Sequence, residues 1–101
     1  MKNNFIYYSF SYADVEKKLS VKAKSLIFWL LSHSEYNKGY IKLTSEDRKN
    51  AMDYLRCNAS FLSRLLKELR DNELIYGKAK IMINPYLFWY GDLDERLKYV
   101  D

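Results

Sequence analysis

The sequence has almost none of the side chains that bind metal ions or act as nucleophiles. It contains one cysteine, Cys57, and one histidine, His33. A structural zinc site needs four cysteine or histidine ligands, and a metal-dependent nicking site needs paired histidines. We therefore predict no metal site and no catalytic residue. A lone cysteine cannot form an internal disulfide, which fits a reducing compartment.

Glycine and proline are also scarce, at three residues and one residue. Three glycines leave no glycine-rich loop for a nucleotide phosphate, so we expect no cofactor, no small-molecule substrate and no enzymatic activity. No repeat, low-complexity tract or flexible linker divides the chain. Because 101 residues are too few for two independent cores, residues 1–101 are expected to form a single domain.

Long apolar runs are missing as well. The run at residues 26–31 is too short to cross a bilayer, and the N-terminus has no basic segment followed by an apolar stretch. We expect a cytoplasmic protein with no membrane partner.

What the sequence does have is apolar residues and positive charge. Apolar residues make up 49% of the chain and aromatic residues 17%, which predicts a packed core. The net charge is +4, and it is unevenly distributed: residues 1–80 carry +6, whereas residues 81–101 carry −2. This pattern favours an acidic partner for the first part of the chain, although the same lysines also serve solubility.

The first half of the chain predicts an extended arm followed by a helix. Residues 1–19 open with a β-branched and aromatic stretch, typical of a strand or arm that is covered on both faces. Ser20 is a candidate N-cap for a helix that ends near Ser34. Phe28 and Trp29 lie off its apolar stripe, so we expect them to contact the arm, the C-terminal tail or another subunit. The stripe comprises Ala23, Leu26, Ile27, Leu30 and Leu31.

The next segment predicts two helices joined by a tight turn. A short strand at residues 40–43 precedes Thr44, which forms a capping-box pattern with Asp47. The helix that follows ends near Arg56, and Asn58 can cap another helix that extends to about Asn72. Apolar spacing directs Leu62, Leu65, Leu66 and Leu69 inward. Two helices around a short turn are typical of a helix-turn-helix unit.

Residues 73–76 and 80–84 predict a hairpin around Gly77, Lys78 and Ala79, which would form a wing. Pro85 ends the second strand, and residues 86–89 offer an apolar block. Asp92 is a candidate cap for a C-terminal helix over residues 92–100 that docks through Leu93, Leu97 and Val100. The predicted fold class is α+β, mostly α: a winged helix-turn-helix with a three-helix core, a short β-hairpin wing and a C-terminal helix.

The outward face of the third predicted helix has the composition of a DNA-reading surface. Arginine can bridge guanine O6 and N7, so we expect Arg64 to read sequence, and serine hydroxyls can reach bases or phosphates. Ala59 and Phe61, near the start of this helix, could contact a thymine methyl group. An ordinary solvated helix surface has a similar composition. The predicted face comprises Asn58, Ala59, Ser60, Phe61, Ser63, Arg64 and Lys67.

Basic residues near the predicted hairpin and second helix are candidate phosphate contacts. Lys78 and Lys80 flank the wing, and Lys42, Arg48 and Lys49 precede or begin the second helix. Such contacts supply salt-dependent affinity rather than sequence specificity. Each of them is individually also compatible with a plain surface charge.

Four segments resemble the winged-helix plasmid replication proteins of the RepL type: SVKAKSLIFWLLSH, LTSEDR, CNASFLSRLLKELRDNELI and IMINPYLFWYGD. The resemblance spans about residues 19–97, and INPYLFW followed by Gly91 and Asp92 is its most specific part. It implies origin binding and replication initiation without nuclease chemistry, with residues 58–72 as the recognition helix. Host replication proteins are the partners implied, although this chain has a short wing and few residues beyond it.

Three alternatives remain open from the sequence. A transcriptional regulator could use the same fold, and ten tyrosines could stack on single-stranded DNA, although most fall in apolar patterns. A protein-interaction module would balance the Arg64 face with carboxylates, which Glu68 and Asp71 do in part. We also expect a homodimer, because small helix-turn-helix proteins usually bind two half-sites.

Overall fold

The computed structural model describes residues 6–100, and for residues 6–8, 10 and 11 it describes the backbone only. It is a mixed α+β domain, mostly helical, with a three-stranded antiparallel sheet. The elements in chain order are β1 (Ile6–Tyr8), α1 (Phe10–Glu16), α2 (Val21–His33), β2 (Tyr40–Lys42), α3 (Ser45–Leu55), α4 (Ala59–Asp71), β3 (Ile75–Tyr76), β4 (Lys80–Ile83), β5 (Phe88–Tyr90) and α5 (Leu93–Arg96).

Helix α2 begins and ends where the sequence predicts. The Ser20 hydroxyl accepts a hydrogen bond from the Ala23 backbone N–H at 3.3 Å, and Ser34 is the C-terminal cap. All five residues of the predicted stripe are buried. Phe28 packs edge-on against Tyr12 of α1 and Phe88 of β5. Trp29 also lies within the fold and is only 7% exposed.

Both predicted caps of α3 and α4 are confirmed. The Thr44 hydroxyl accepts from the Asp47 N–H at 3.0 Å, while the Asp47 carboxylate accepts from the Thr44 N–H at 3.1 Å. Arg56 ends α3 in the left-handed conformation with φ of 54°. Asn58 then caps α4 by accepting from the Phe61 N–H at 2.8 Å. The inward leucines of α4 are all buried: Leu62, Leu65, Leu66 and Leu69.

The predicted hairpin is also confirmed. Strands β3 and β4 pair antiparallel, and β2 pairs with the other edge of β4, giving the order β2-β4-β3. Gly77 lies at the start of the hairpin loop with φ of 86°, and a Cβ there would overlap the Lys80 carbonyl oxygen. The loop therefore requires glycine at this position.

The prediction for residues 1–19 needs a correction. Among the described residues of this stretch, the strand is Ile6–Tyr8, and it is followed by helix α1 rather than by more extended chain. The segment after Pro85 also contains a strand that the sequence did not predict, β5, which pairs antiparallel with β1. The apolar block was predicted correctly in part, since Leu87, Phe88 and Trp89 are buried while Tyr86 is 52% exposed. The prediction that both faces of β1 are covered concerns side chains that lie outside the described part of the structure.

The predicted C-terminal helix over residues 92–100 is wrong in length and in docking. Helix α5 has four residues, and Leu93 and Leu97 are 41% and 63% exposed. The Asp92 carboxylate does not cap α5. It accepts hydrogen bonds from the Tyr36 hydroxyl at 3.1 Å and from Asn37 Nδ2 at 3.4 Å instead.

One contiguous apolar core joins α1 to α4, both sheets and the segment before β5. Helix α2 contributes six buried residues to this core and packs on α3, α4 and β5. Within residues 6–100, no helix has both the length and the apolar character needed to cross a bilayer.

Candidate nucleic-acid interface

The outward face of α4 is where the sequence predicts it. Ser60, Ser63, Arg64 and Lys67 are all exposed, opposite the buried leucines. Ala59 at the start of the helix is exposed as well. The helix thus presents hydroxyl, guanidinium and ammonium groups along one side, a set that can donate hydrogen bonds to base edges and phosphates.

Phe61 connects this face to α2. Its ring is 38% exposed, with the Arg64 guanidinium carbon 5.7 Å and the Lys22 Nζ 5.5 Å from the ring centroid. Cations at this distance from an aromatic ring are attracted to its face. The contact restrains Arg64 near the first turn of α4, on the part of the helix predicted to read bases.

Asn58 has a local role that limits its predicted contact with DNA. Its Oδ1 caps α4, so this oxygen already accepts the Phe61 N–H. Only the Nδ2 group can donate to a further partner while the cap is kept. The role that the structure gives Asn58 is to fix the start of α4.

The carboxylates of α4 are held by other groups. Glu68 accepts hydrogen bonds from the Ser20 N–H at 2.7 Å and from the Ser20 hydroxyl at 2.9 Å. Asp71 pairs with Lys67 at 2.7 Å, with both side chains more than half exposed at 59% and 68%. An exposed pair of this kind contributes only about 0.3–0.5 kcal/mol, so a phosphate can replace Asp71 at low cost.

Positive charge is concentrated on the sheet beside the hairpin. Lys42 of β2 lies directly opposite Lys80 of β4, and both are exposed. Like charges directly opposite each other destabilise a strand pair, so an anion bound here would be favourable. The Lys80 Nζ lies 4.1 Å from the centroid of the Tyr40 ring. The pKa of Tyr40 is raised above its ordinary value, first by its hydrogen bond with Glu35.

A cleft of about 230 Å³ brings three elements together. It is lined by Arg48 of α3, by Ser63, Leu66 and Arg70 of α4, and by Lys78 of the hairpin loop. The structure therefore joins two predicted phosphate contacts, Arg48 and Lys78, to the face of α4. Arg70 was not predicted, although it follows Ser63 by seven residues and so shares its side of the helix. Lys49 is exposed on α3 and does not line this cleft.

A second cleft of about 650 Å³ lies on the other side of α4, at the turn after α3. Its charged lining residues are Lys22, Asp53 and Arg56, and Lys22 Nζ donates to the Arg56 carbonyl oxygen at 3.2 Å. Half-buried Cys57 lies in its wall, in the turn between α3 and α4. Lys22 and Arg56 were missed because no local pattern places the start of α2 beside this turn.

His33 has a local role. Its ring stacks on Trp29 at 4.0 Å between centroids, and its Nδ1 lies 2.8 Å from the Trp29 carbonyl oxygen. Within the part of the chain that the structure describes, no group of three His, Cys, Asp or Glu side chains could hold a metal ion.

Asn84, directly after β4, has a structural role. Asn84 Nδ2 donates to the Glu73 carbonyl oxygen at 2.9 Å, and its Oδ1 accepts from the Tyr86 N–H at 3.0 Å. The asparagine thus connects the end of β4 to the segment between α4 and β3. Comparisons of the chain with protein-family models, with curated proteins and with solved structures found no match.

Proposed function

We propose that this chain is a winged helix-turn-helix domain that binds double-stranded DNA, with α4 as the recognition helix and the β3–β4 hairpin as the wing. The observation that carries the proposal is the cleft that joins Arg48, Arg70 and Lys78 beside the hydroxyl-rich face of α4. Three cations from three elements meet next to a helix face that can donate to bases. A DNA duplex offers phosphates beside the base edges of its major groove, so one protein surface of this kind can contact both.

Each group in this interface has a distinct role in the proposal. Arg64 reads a guanine through two parallel hydrogen bonds, and Ser60 and Ser63 donate to bases or phosphates. Lys78, Lys80 and Lys42 bind the backbone and supply affinity that falls with salt. The domain acts by binding alone, with no catalytic step.

The proposed biological role is replication initiation, or its control, on a plasmid-like element in the cytoplasm. The support for this role is the RepL resemblance, in which Gly91 and Asp92 follow the aromatic segment. Host replication proteins are the proposed partners, and a homodimer on two half-sites is the proposed assembly. A transcriptional regulator would use the same interface, and only the location of the bound sites distinguishes the two roles.

The proposal is tested by titrating the protein with mixed-sequence duplex and with single-stranded DNA over a salt series. A duplex sequence enriched from a random library then serves for the variants. Arg64→Ala should lower affinity for the enriched site by about fivefold to 150-fold, since a bidentate base contact is worth about 1–3 kcal/mol. Its affinity for mixed duplex should change far less.

Lys78→Ala should weaken binding to all duplexes and reduce the slope of log K against log salt by about 1. Lys38→Ala is the matched control, because Lys38 is exposed and lies in the turn after the C-terminal end of α2. An absence of duplex binding at low salt would contradict the proposal and favour a protein-interaction module. A preference for single strands would favour stacking on the exposed tyrosines.

A further inference from the structure

Two groups of cations lie on opposite sides of α4. Phe61, which contacts Lys22, and Arg70, which lines the cleft with Lys78, are nine residues apart on this helix. Nine residues are about two and a half turns, so the two side chains point in opposite directions around the helix axis. The exposed stripe that contains Ser60 and Lys67 lies between them.

The α2-side cluster consists of Lys22 and Arg56. Lys22 is on the first turn of α2, and its hydrogen bond to the Arg56 carbonyl fixes its ammonium group at the α3–α4 turn. Arg56 is exposed and lines the same cleft. One carboxylate, Asp53, also lines this cleft, so the two cations outnumber the anion.

The hairpin-side cluster consists of Arg48, Arg70 and Lys78. These side chains line one cleft together with Ser63, and no carboxylate is among its lining residues. Their three charges come from α3, α4 and the hairpin loop. Repulsion among them is relieved when an anion binds between them.

We propose that α4 is held in the major groove by phosphates of both DNA strands, with the α2-side cluster on one strand and the hairpin-side cluster on the other. The inference rests on the proposed function and adds α2 to the interface. The major groove is about 12 Å wide, and an α-helix with its side chains is about 10–12 Å across. Phosphates therefore border both sides of an inserted helix, where the two clusters lie.

The two clusters also explain how the helix is oriented. A single cluster would let α4 roll about its axis, which would move Arg64 relative to the base edges. Contacts on both sides fix this rotation, because each strand holds one flank of the helix. Phosphate contacts of this kind set register and orientation while base contacts specify sequence.

The first test uses charge-neutral variants and the salt dependence of binding. Lys22→Gln and Arg56→Asn remove the α2-side charges, and asparagine tolerates the left-handed backbone at position 56. Arg70→Gln removes a charge from the hairpin-side cluster. Each variant should reduce the slope of log K against log salt by about 0.9, the value for one phosphate contact. Lys38→Gln, with the same loss of charge, should leave the slope unchanged.

The second test assigns the clusters to strands with duplexes that carry neutral methylphosphonates on one strand at a time. Neutralising the phosphates bound by the α2-side cluster should weaken the wild type but not the Lys22→Gln, Arg56→Asn double variant. Neutralising the opposite strand should weaken both proteins equally. Arg70→Gln should give the reverse pattern in part, because Arg48 and Lys78 remain in its cluster.

The outcomes separate this inference from the proposed function. If the wild type binds duplex and Lys22→Gln behaves like Lys38→Gln, the inference is overturned while the proposed function stands. The inference also fails if both clusters respond to methylphosphonates on the same strand. If the wild type does not bind duplex at all, both fail. Lys22→Gln alone, at an exposed position, serves if the double variant does not fold.

Discussion

At the residue scale, Glu68 stabilises the contact between α4 and α2. Its carboxylate accepts two hydrogen bonds from Ser20 at the start of α2, where the helix dipole favours negative charge. We expect Glu68→Ala to lower the free energy of unfolding by about 1 kcal/mol, the usual value for a lost cap. Urea denaturation at constant m-value measures this change. Asp71→Ala, on the same helix, should cost less than about 0.5 kcal/mol, and equal losses would contradict the assignment.

Gly91, like Gly77, is a position at which the structure requires glycine. Its φ is 139°, and a Cβ would overlap the Asn37 side-chain oxygen that accepts the Asp92 N–H. We expect Gly91→Ala to lower the free energy of unfolding by about 2 kcal/mol or more, since strain adds to a lost hydrogen bond. Thermal unfolding monitored by circular dichroism measures it. Asn50→Ala, at an exposed position of α3, should leave the midpoint of thermal unfolding nearly unchanged. If both variants lower the midpoint equally, the loss in Gly91→Ala does not come from strain at position 91.

At the element scale, the capping box fixes the start of α3 beside the hairpin. Thr44→Ala removes one of its two reciprocal hydrogen bonds, and we expect a loss of about 1 kcal/mol in the free energy of unfolding. Because Arg48 lies on the first turns of the same helix, fraying there should also weaken duplex binding. Ser45→Ala, one residue on and exposed, is the control. If Thr44→Ala lowers stability but leaves the affinity for duplex unchanged, the cap does not contribute to duplex binding.

The elements that the sequence predicts are those with local signals. Ser20, Thr44 and Asn58 begin their helices because a side-chain oxygen replaces a missing backbone partner within three residues. The hairpin follows from glycine and alternating apolar residues. Helix α1 was missed because its aromatic and β-branched stretch favours a strand and Ser9 makes no side-chain cap.

Long-range pairing explains the other misses. Strand β5 exists because it pairs with β1, about 80 residues earlier in the chain, and no local pattern encodes that partner. The same limit applies to the candidate interface. The spacing of α4 alone predicts that Arg64 and its neighbours share one face, whereas Lys22 joins them only through the packing of α2 on α4.

At the scale of the whole molecule, charge divides the chain into two parts. Three acidic residues that follow β4 lie at α5: Asp92, Asp94 and Glu95. Asp92 bonds to Tyr36 and Asn37. These residues therefore lie in the part of the fold that contains β5 and the turn after α2. The cations of the proposed interface instead lie around α4 and the hairpin. Among the charged residues that line the two clefts, five cations stand against one carboxylate, Asp53, which favours an anionic partner at the proposed interface.

The size of the domain bears on how it would bind a full site. Its extents are 37 × 29 × 21 Å, and adjacent half-sites on one face of DNA lie about 34–36 Å apart. Two copies fit side by side on neighbouring half-sites if one of the two shorter extents, 29 or 21 Å, runs along the duplex. The contact between them would not use Trp29, which is buried in its own chain.

We predict two chains per enriched duplex, with half-sites about 10–10.5 base pairs apart. Light scattering of the complex counts the chains, and a binding isotherm measures cooperativity. Inserting about five base pairs between the half-sites turns them to opposite faces of the duplex and should abolish cooperativity. Inserting about ten restores the shared face and serves as the control. One chain per duplex with every spacer would show that a single α4 supplies all the specificity, because no second half-site would then contribute.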